Sequence, residues 1–485
     1  MDNKCPRPWG GNLAKSVMRF LGNREEELIH AQSIRVLEEL GVLVRSSSVL
    51  NMLGKAGAVI DEKKMIAKIP GDMVVDALNS CPKEFRLCAR NPEKDLVLPT
   101  KQYPYVATNG LAVYMTDLET GKKRATTRND LAMFAKLADA LDEVGFFWPE
   151  VTASDVGLHV HTVHELWVSL QNGTKHVQGD SVSAEDARTQ IRLAALVACG
   201  EEELRKRPIL SVVCCPIAPL SFEKDAIEGQ VEFARAGIPI VSLSMSLSGM
   251  SSPITIGGTI VNANAENLAS IVITQTACKG APHIYSSEST PMDVTTGGIN
   301  YFANENPMIA AALAQMARRY GLPCMIGQWG VDGDEPGIGK SFNELATVAL
   351  TVMSGTDCCS GMGGLEAAKG ASLEQMVIDA YIWTNFKPVL RDITISEETV
   401  AFDVMKQVGQ GNTFLTNPHT VKFSKELYIP AKAKLAWEAT LSNNMVADAR
   451  EIVRKTLEQH EVPQIDKDIV KQGDEVIRKF EKTFA

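Results

Sequence analysis

The sequence predicts a (β/α)₈ barrel, an α/β fold of the TIM type in which parallel strands alternate with helices. Between residues 101 and 390, short apolar runs are each followed by ten or more residues with apolar side chains at helical spacing. Three helix-to-strand junctions read Ala-Gly-Ile-Pro, Lys-Gly-Ala-Pro and Tyr-Gly-Leu-Pro, at 236–239, 279–282 and 320–323. A glycine just past a helix and a proline at the start of the next strand are typical of αβ loops. An open doubly wound sheet of the same strands is the alternative.

Residues 1–100 are predicted to form an α-rich cap with a small β element. Apolar side chains at helical spacing predict a helix from Asn23 to Leu40, and Gly41 ends it. Two further helices and a strand pair are expected after it, at 47–55, 70–78, 85–87 and 96–98.

The barrel itself is assigned to residues 101–390. Its eight strands are predicted at 105–108, 145–148, 175–178, 209–214, 239–244, 282–285, 324–327 and 357–360. Helices between them are predicted at 128–142, 184–198, 221–236, 265–279, 307–320 and 341–354. Residues 391–485 are predicted to form a C-terminal helical extension that packs on the barrel or on a neighbouring subunit, so a homo-oligomer is expected.

Charge and composition narrow the classes of partner. The net charge is −10 and no run of Lys or Arg occurs, which argues against a nucleic-acid partner. No stretch of 18 apolar residues occurs and the first eleven residues lack an apolar core, so neither a membrane span nor a signal peptide is expected. Ten cysteines without a CxxC motif favour reduced thiols and a cytoplasmic protein.

The C-terminal ends of barrel strands, where such enzymes carry their reactive groups, are here aromatic and acidic. The residues at or just after the predicted ends include Asn109, Trp148, Glu150, Gln178, Asp180, Cys214, Cys215, Ser244, Met245, Tyr285, Glu288 and the loop Gln328–Glu335. Almost none is Lys or Arg. Aromatic faces and carboxylates suit a cation that cannot donate hydrogen bonds, above all a quaternary ammonium.

A run of histidines offers a different chemistry. His159, His161 and His164 resemble a metal-binding run, and a metal-dependent barrel hydrolase that uses His159, His161 and a cysteine pair is a second hypothesis. No carboxylate or lysine partner completes such a site, so no metal is predicted. The sequence contains neither a GxxxxGK[ST] phosphate loop nor a G-x-S-x-G nucleophile elbow.

Several phrases resemble one known family along nearly the whole chain. They are Val-Leu-Glu-Glu-Leu-Gly-Val-Leu-Val at 36–44, Leu-Cys-Ala-Arg-Asn-Pro-Glu-Lys-Asp-Leu at 87–96, Pro-Ile-Thr-Ile-Gly-Gly at 253–258, Ser-Leu-Glu-Gln-Met-Val-Ile-Asp at 372–379 and Phe-Leu-Thr-Asn-Pro-His-Thr at 414–420. This pattern is similar to the trimethylamine methyltransferase family. The resemblance implies a barrel that passes a methyl group from an amine to the cobalt of a corrinoid. That corrinoid is carried by a separate small partner protein, so no cofactor is expected to bind tightly to this chain.

One loop departs from the family pattern. Founding members hold a pyrrolysine in the loop after strand seven, and the matching stretch here is Val331–Asp334, with an ordinary residue at or beside Asp334. A quaternary amine already carries the positive charge and leaves as a neutral tertiary amine, so it needs no such adduct. The resemblance therefore implies the branch that demethylates glycine betaine, with proline betaine, carnitine and γ-butyrobetaine as alternatives.

Roles follow for the candidate site residues. Asp332, Asp334 and Glu335 are predicted to act catalytically through their charge. The predicted substrate-binding residues are Trp329, Gln328, Trp148, Tyr285, Asn109, His176, Glu288 and His419. Of these, His176, His419, Asn109 and Gln328 are the candidate donors to a substrate carboxylate. A third hypothesis is a scaffold that binds a betaine or a corrinoid protein without catalysis.

Replacing Trp329 with Ala tests the predicted aromatic wall. We expect Trp329→Ala to weaken betaine binding by about 1–2 kcal/mol, the range of a cation–π contact. Calorimetric titration with glycine betaine measures the change, and an unaltered affinity would remove Trp329 from the site.

Overall fold

The computed structural model describes residues 18–328, 333–337, 342–390, 394–424 and 445–484. Within these residues, a sheet of eight parallel strands forms the centre of the molecule. Each strand except the second pairs with the next along the chain, and the eighth pairs with the first. The strands are β1 (Tyr105–Thr108), β2 (Val144–Phe146), β3 (Val177–Asp180), β4 (Leu210–Cys214), β5 (Ile240–Ser244), β6 (His283–Ser287), β7 (Cys324–Gln328) and β8 (Cys358–Met362).

Phe147 closes this sheet into a barrel. It follows β2 directly and bridges to Val177 of β3 in parallel register. Its backbone N–H donates to the carbonyl of His176 at 2.9 Å, and its carbonyl accepts from the N–H of Gln178 at 2.8 Å. The predicted barrel is therefore confirmed, and the open sheet is excluded.

A layer of helices surrounds the strands. They are α1 (Arg128–Ala140), α2 (His161–Asn172), α3 (Ala184–Val197), α4 (Lys224–Ala236), α5 (Ile256–Ala277), α6 (Asn306–Arg319), α7 (Phe342–Met353) and α8 (Leu373–Phe386), with a short helix at Glu201–Lys206. Side-chain oxygens begin several of them: Thr127 and Asp130 form a capping box at α1, and Ser183 and Ser372 accept backbone N–H groups at α3 and α8.

A β-hairpin fills the N-terminal end of the barrel. Its strands, Phe85–Leu87 and Leu96–Leu98, pair antiparallel. Leu87, Leu96 and Leu98 pack among inward-facing side chains of the barrel strands. These barrel side chains are Ala107, Phe146, Val213, Val241, Ile284, Met325 and Cys358. Because this end is filled with apolar side chains, the opposite end carries the polar groups that face the barrel interior.

The remaining elements pack on the outside. Helices Asn23–Arg35, Ser47–Lys55 and Gly71–Ser80 lie against α5, beside a small sheet of Val42–Val44, Val59–Asp61, Ile66–Lys68 and Ser221–Phe222. Near the C-terminus, helix Met445–Gln459 packs on α1 and α8, and helix Lys467–Glu481 packs on α2 and α3. Three short helices, Glu397–Val400, Phe402–Val408 and Pro418–Phe423, lie along the chain between α8 and helix Met445–Gln459. No helix in the described part of the chain is both long and apolar enough to cross a membrane.

Three helices differ from their predicted bounds by three residues or more. The helix expected at 23–40 is an α-helix to Arg35 and continues as a π-helical turn, Val36–Leu40. The helix expected from Ser221 begins at Lys224, because Ser221–Phe222 pairs with Val42–Val44 instead. The helix α5 begins nine residues before the predicted Ala265, since the Thr255 hydroxyl caps it ahead of two glycines.

The hairpin supplies a stability prediction. Leu98 is fully buried, so Leu98→Ala leaves a cavity and should lower the free energy of unfolding by about 2–5 kcal/mol. Urea denaturation followed by circular dichroism measures it. The control Val59→Ala, at a side chain that is 65% exposed, should change stability by less than about 0.5 kcal/mol. Equal effects would show that the hairpin does not belong to the barrel core.

Candidate functional site

Two small sheets border the C-terminal mouth of the barrel. The loops after β1 and β8 form one from Tyr114–Thr116, Lys123–Ala125, Gly364–Leu365 and Gly370–Ala371. The loops after β5 and β6 form the other by pairing Leu247–Ser248 with Thr290–Pro291. Backbone pairing between neighbouring loops holds the rim in one arrangement, so the side chains just inside it are positioned by fixed backbone.

Two carboxylates from different strands lie at this mouth. Asp180 is the last residue of β3, and its Oδ2 accepts from Trp148 Nε1 at 2.8 Å. Burial raises the pKa of Asp180 to about 7, although the Trp148 hydrogen bond lowers it. Glu288 directly follows β6, and its Oε1 accepts from Ser360 Oγ of β8 at 3.3 Å. The mouth therefore concentrates negative charge beside an indole ring.

Two sulfur atoms come from the strands between those carboxylates. Cys215 follows β4, and Met245 follows β5 and packs on the apolar barrel interior. The Cys215 side chain is exposed to solvent. Yet its pKa is raised well above the usual range, by burial first and then by the charges of Asp180 and Glu288. Cys215 therefore lies in a recess that is open to water and surrounded by protein. The negative charges of Asp180 and Glu288 are close enough to raise the pKa of its thiol.

Asn109 and Glu150 lie on the other side of the mouth. Asn109 is buried after β1, and its Nδ2 donates to the carbonyl of Ala368 at 3.4 Å. Burial raises the pKa of Glu150 well above its ordinary value, and Asp379 of α8 adds to the effect while the Asn109 backbone opposes it. Burial thus disfavours the charged form of Glu150, whose carboxyl group lies near Asp379 of α8, behind the mouth.

Glu266 of α5 holds two of the mouth loops. Its Oε1 accepts from the backbone N–H of Leu220 at 2.8 Å and from Asn262 Nδ2 at 2.9 Å. Its Oε2 accepts from the Ser244 hydroxyl at 2.5 Å. The loop after β4 and the end of β5, which carry Cys215 and Met245, are therefore tied to one buried side chain.

The structure brings three of the predicted substrate-binding residues together at the mouth: Asn109, Trp148 and Glu288. Gln328 ends β7, but its side chain lies outside the described residues, as do Trp329 and Asp332 altogether. Predictions for these three residues stay predictions.

Two residues predicted at the mouth lie elsewhere, which corrects their assignment. His176 precedes β3 at the filled end of the barrel, where its Nδ1–H donates to the Cys88 carbonyl at 2.7 Å and its Nε2 accepts from Ser211 Oγ. Burial lowers its pKa to about 4, so it is a neutral core histidine. The Tyr285 side chain faces the helices, and its hydroxyl donates to Asn264 Oδ1 of α5 at 2.9 Å.

His419 also lies away from the barrel strands. It belongs to the short helix Pro418–Phe423, stacks on Phe423, and places its Nε2 3.3 Å from the Glu398 carbonyl. The contacts given for His419 are thus with the C-terminal segment itself, and its role as a donor to the substrate stays a prediction.

Asp334 and Glu335 line a groove beside the mouth rather than the recess around Cys215. Both are exposed, and the groove encloses about 390 Å³ together with Lys123 and Arg450. The loop is attached there because Glu366 N–H donates to the Gly333 carbonyl at 2.9 Å. Their predicted catalytic part stays a prediction.

The three side chains of the histidine run contact other parts of the protein by stacking and by hydrogen bonds. His159 stacks on Phe484, His161 Nδ1 lies 2.9 Å from Glu165 Oε1, and His164 Nε2 lies 2.9 Å from Glu481 Oε1. Over the residues that the structure describes, no three His, Cys, Asp or Glu side chains form a group that could hold a metal ion.

Sequence reasoning placed Asp180, Cys215 and Met245 at strand ends but did not select them as site residues. The signal that would have found them is the alternation of side chains along a strand. Val177 packs outward among the helices, so Gln178 and Asp180 face inward.

Comparison with known proteins assigns the chain to one family. The sequence pattern of the family described as Trimethylamine methyltransferase (MTTB) matches residues 12–484. Trimethylamine methyltransferase MttB of Desulfitobacterium hafniense is 34% identical over 440 residues, which cover 90% of this chain and 88% of that protein. The glycine betaine methyltransferase of the same species is 28% identical and covers 85% and 86%. The crystal structure of the Methanosarcina barkeri monomethylamine methyltransferase superposes with a TM-score of 0.54 at 14% identity, covering 92% and 89%, and shares the fold.

Glu266 gives a prediction about the support of the mouth. Glu266→Ala removes the acceptor of Leu220, Ser244 and Asn262 together, so we expect a loss of about 2–4 kcal/mol in the free energy of unfolding. Urea denaturation measures it, with Glu202→Ala, an exposed side chain, as the control. If both variants unfold at the same urea concentration, the hydrogen bonds of Glu266 contribute nothing.

Proposed function

The chain belongs to the trimethylamine methyltransferase family, and on that premise we propose that it moves a methyl group from a quaternary amine to the cobalt of a corrinoid on a partner protein. Glycine betaine is the proposed substrate. Proline betaine, carnitine and γ-butyrobetaine are the alternatives within the same class.

The recess at the barrel mouth carries the proposal. It combines the Asp180 and Glu288 carboxylates with the Trp148 indole, and none of the described residues that end the barrel strands is Lys or Arg. A quaternary ammonium offers no N–H, so charge and polarisable contact must hold it.

The proposed methyl transfer requires this chain only to bind the substrate and to orient it. The corrinoid cobalt, when the partner is bound, supplies the nucleophile that takes the methyl group. No proton moves in that step, so the side chains at the mouth need only hold one N-methyl group towards the open end. The amine is neutral at the moment it loses the methyl group, so its attraction to Asp180 and Glu288 is weakened at that step.

The rim of the barrel mouth has the features of a surface that binds another protein. Large apolar side chains stand exposed in the loops that follow five consecutive strands, β2 to β6: Leu158, Val182, Ile217, Ile254 and Val294, in that order. Exposed apolar side chains grouped around a binding recess are typical of a surface that another protein covers. The corrinoid protein is the partner that this position suits.

Two observations favour a quaternary over a tertiary amine. The loop that matches the pyrrolysine position holds ordinary residues from Val331 to Asp334. In addition, one of the relatives carries the name glycine betaine methyltransferase.

The histidine contacts described above leave a metal-dependent hydrolase without a supporting observation in the described residues.

The decisive experiment is a demethylation assay with the cognate corrinoid protein, reduced under strict anaerobic conditions. We expect the purified protein to convert glycine betaine to dimethylglycine, measured by mass spectrometry, and to leave trimethylamine unchanged. Turnover of trimethylamine, or of none of the four betaines, would refute the assignment. Betaine binding without turnover would identify a non-catalytic binding protein.

The raised pKa of Asp180 predicts how binding depends on pH. A carboxylate attracts the cation only when ionised, and with a pKa of about 7 most of Asp180 is neutral at pH 6 and ionised at pH 8. The Kd for glycine betaine, whose own charges are constant in this range, should therefore fall by about tenfold from pH 6 to pH 8. Calorimetric titration at both pH values measures it.

Substitution of Asp180 separates this effect from a general response to pH. Asp180→Asn should bind more weakly at pH 8 and lose the dependence. Asp142→Asn, an exposed residue at the filled end of the barrel, should behave as the unaltered protein does. A dependence that survives in Asp180→Asn would assign the titration to another group.

A further inference from the structure

We propose that Cys215 and Met245 form the surface on which the N-methyl groups of the substrate pack, with the Cys215 thiol in direct contact with the ammonium headgroup. This inference rests on the proposed function and adds to it the atoms that meet the substrate.

The order of the strands places the two sulfurs between the two carboxylates. The residues that end or directly follow β3, β4, β5 and β6 are Asp180, Cys215, Met245 and Glu288. These strands are consecutive neighbours in the barrel, and Ser244 of β5 pairs with Ser287 of β6, which brings Met245 beside Glu288. The charges of Asp180 and Glu288 both act on the Cys215 thiol. A cation held by both carboxylates therefore meets this stretch of the wall.

The two adjacent cysteines have opposite environments. Cys214 is buried in the layer between strands and helices, among residues such as Leu193 and Phe233. Cys215, one position further, is exposed in the recess. Alternation along β4 produces this difference. Cys215 is thus the thiol of the pair that a ligand in the recess can touch.

The chemistry of sulfur suits N-methyl groups. Thiol and thioether sulfurs are polarisable and form only weak hydrogen bonds, so they contact a methyl-covered cation without competing for a proton. The thiolate rather than the thiol is the nucleophilic form of cysteine. Burial and the two nearby carboxylates raise the pKa of Cys215, so the thiol stays protonated and does not accept the methyl group itself.

A second observation independently points to a ligand in the same part of the barrel. Gln178 lies two residues before Asp180 on the inward face of β3 and is completely buried. Neither its Nε2 nor its Oε1 has a hydrogen-bond partner among the described residues. Buried amides are normally paired, so an unpaired one beneath the recess is available to a polar group that enters it.

Protection from a thiol reagent tests the contact, and the chain provides its own control. Cys199, also exposed, lies in the turn after α3 and away from the mouth. The full-length protein is treated with methyl methanethiosulfonate, with and without saturating glycine betaine, and the modification of each cysteine is followed by mass spectrometry. We expect betaine to slow the modification of Cys215 at least tenfold and to leave that of Cys199 unchanged.

The outcomes distinguish this inference from the proposed function. If betaine is demethylated but Cys215 reacts equally fast with and without it, the contact is refuted and the function stands. If betaine neither binds nor is demethylated, both are refuted. Equal protection of Cys199 and Cys215 would reveal a change of the whole protein rather than a contact, and would also overturn the inference.

Substitution adds a readout that a structural role would not alter. Cys215→Leu narrows the recess, so kcat/KM should fall more for proline betaine, whose ring is bulkier, than for glycine betaine, by about tenfold in their ratio. Cys215→Ser keeps the size and should leave that ratio within about twofold. Cys199→Ser should have no effect on either substrate. An unchanged ratio in Cys215→Leu would show that Cys215 does not shape the headgroup site.

Discussion

The closure of the sheet through Phe147 is the constraint on which the mouth depends. Two backbone hydrogen bonds join the residue after β2 to β3, and they bring Trp148, the next residue, within 2.8 Å of Asp180. Without that junction the indole and the carboxylate would belong to opposite edges of an open sheet. The same closure turns a row of strand ends into a ring. Side chains that are far apart in sequence, such as Ser360 and Glu288, then meet across it.

Buried polar groups outside the ring maintain its shape. Glu266, on α5, accepts hydrogen bonds from the loop after β4 and the end of β5, and Glu150, whose pKa burial raises, lies between Asn109 and α8. Glu266 and Glu150 carry the same chemical group as Asp180 and Glu288 but lie outside the ring of strand ends. Glu266, behind the ring, binds the protein's own backbone and hydroxyl groups, whereas Asp180 and Glu288, inside it, face the recess. The carboxylates of Asp180 and Glu288 are thus available to a ligand, because Glu266 makes the hydrogen bonds that hold the mouth loops.

Much of the fold could be predicted because the barrel repeats a local signal. Each strand is a short apolar run, and glycine and proline mark several junctions, so all eight strands were located. The helix α2 was not predicted as an element, since its first turn is a polar histidine run whose partners, Glu481 and Phe484, lie more than 300 residues away. Tyr285 was misplaced because it is one of the outward-facing residues of β6, which continues to Ser287, so its place near the strand end does not bring it into the mouth. The contact of His176 with Cys88 joins residues 88 positions apart and likewise leaves no local pattern.

The hairpin at residues 85–98 has a consequence for the kinetics of the proposed reaction. With one end of the barrel filled by Leu87 and Leu98, substrate and acceptor protein reach the recess from the same side. The amine must then bind before the acceptor docks, and the demethylated amine must wait until the acceptor departs. Such an enzyme follows a compulsory order of addition, and an excess of the acceptor protein inhibits it by covering an empty site.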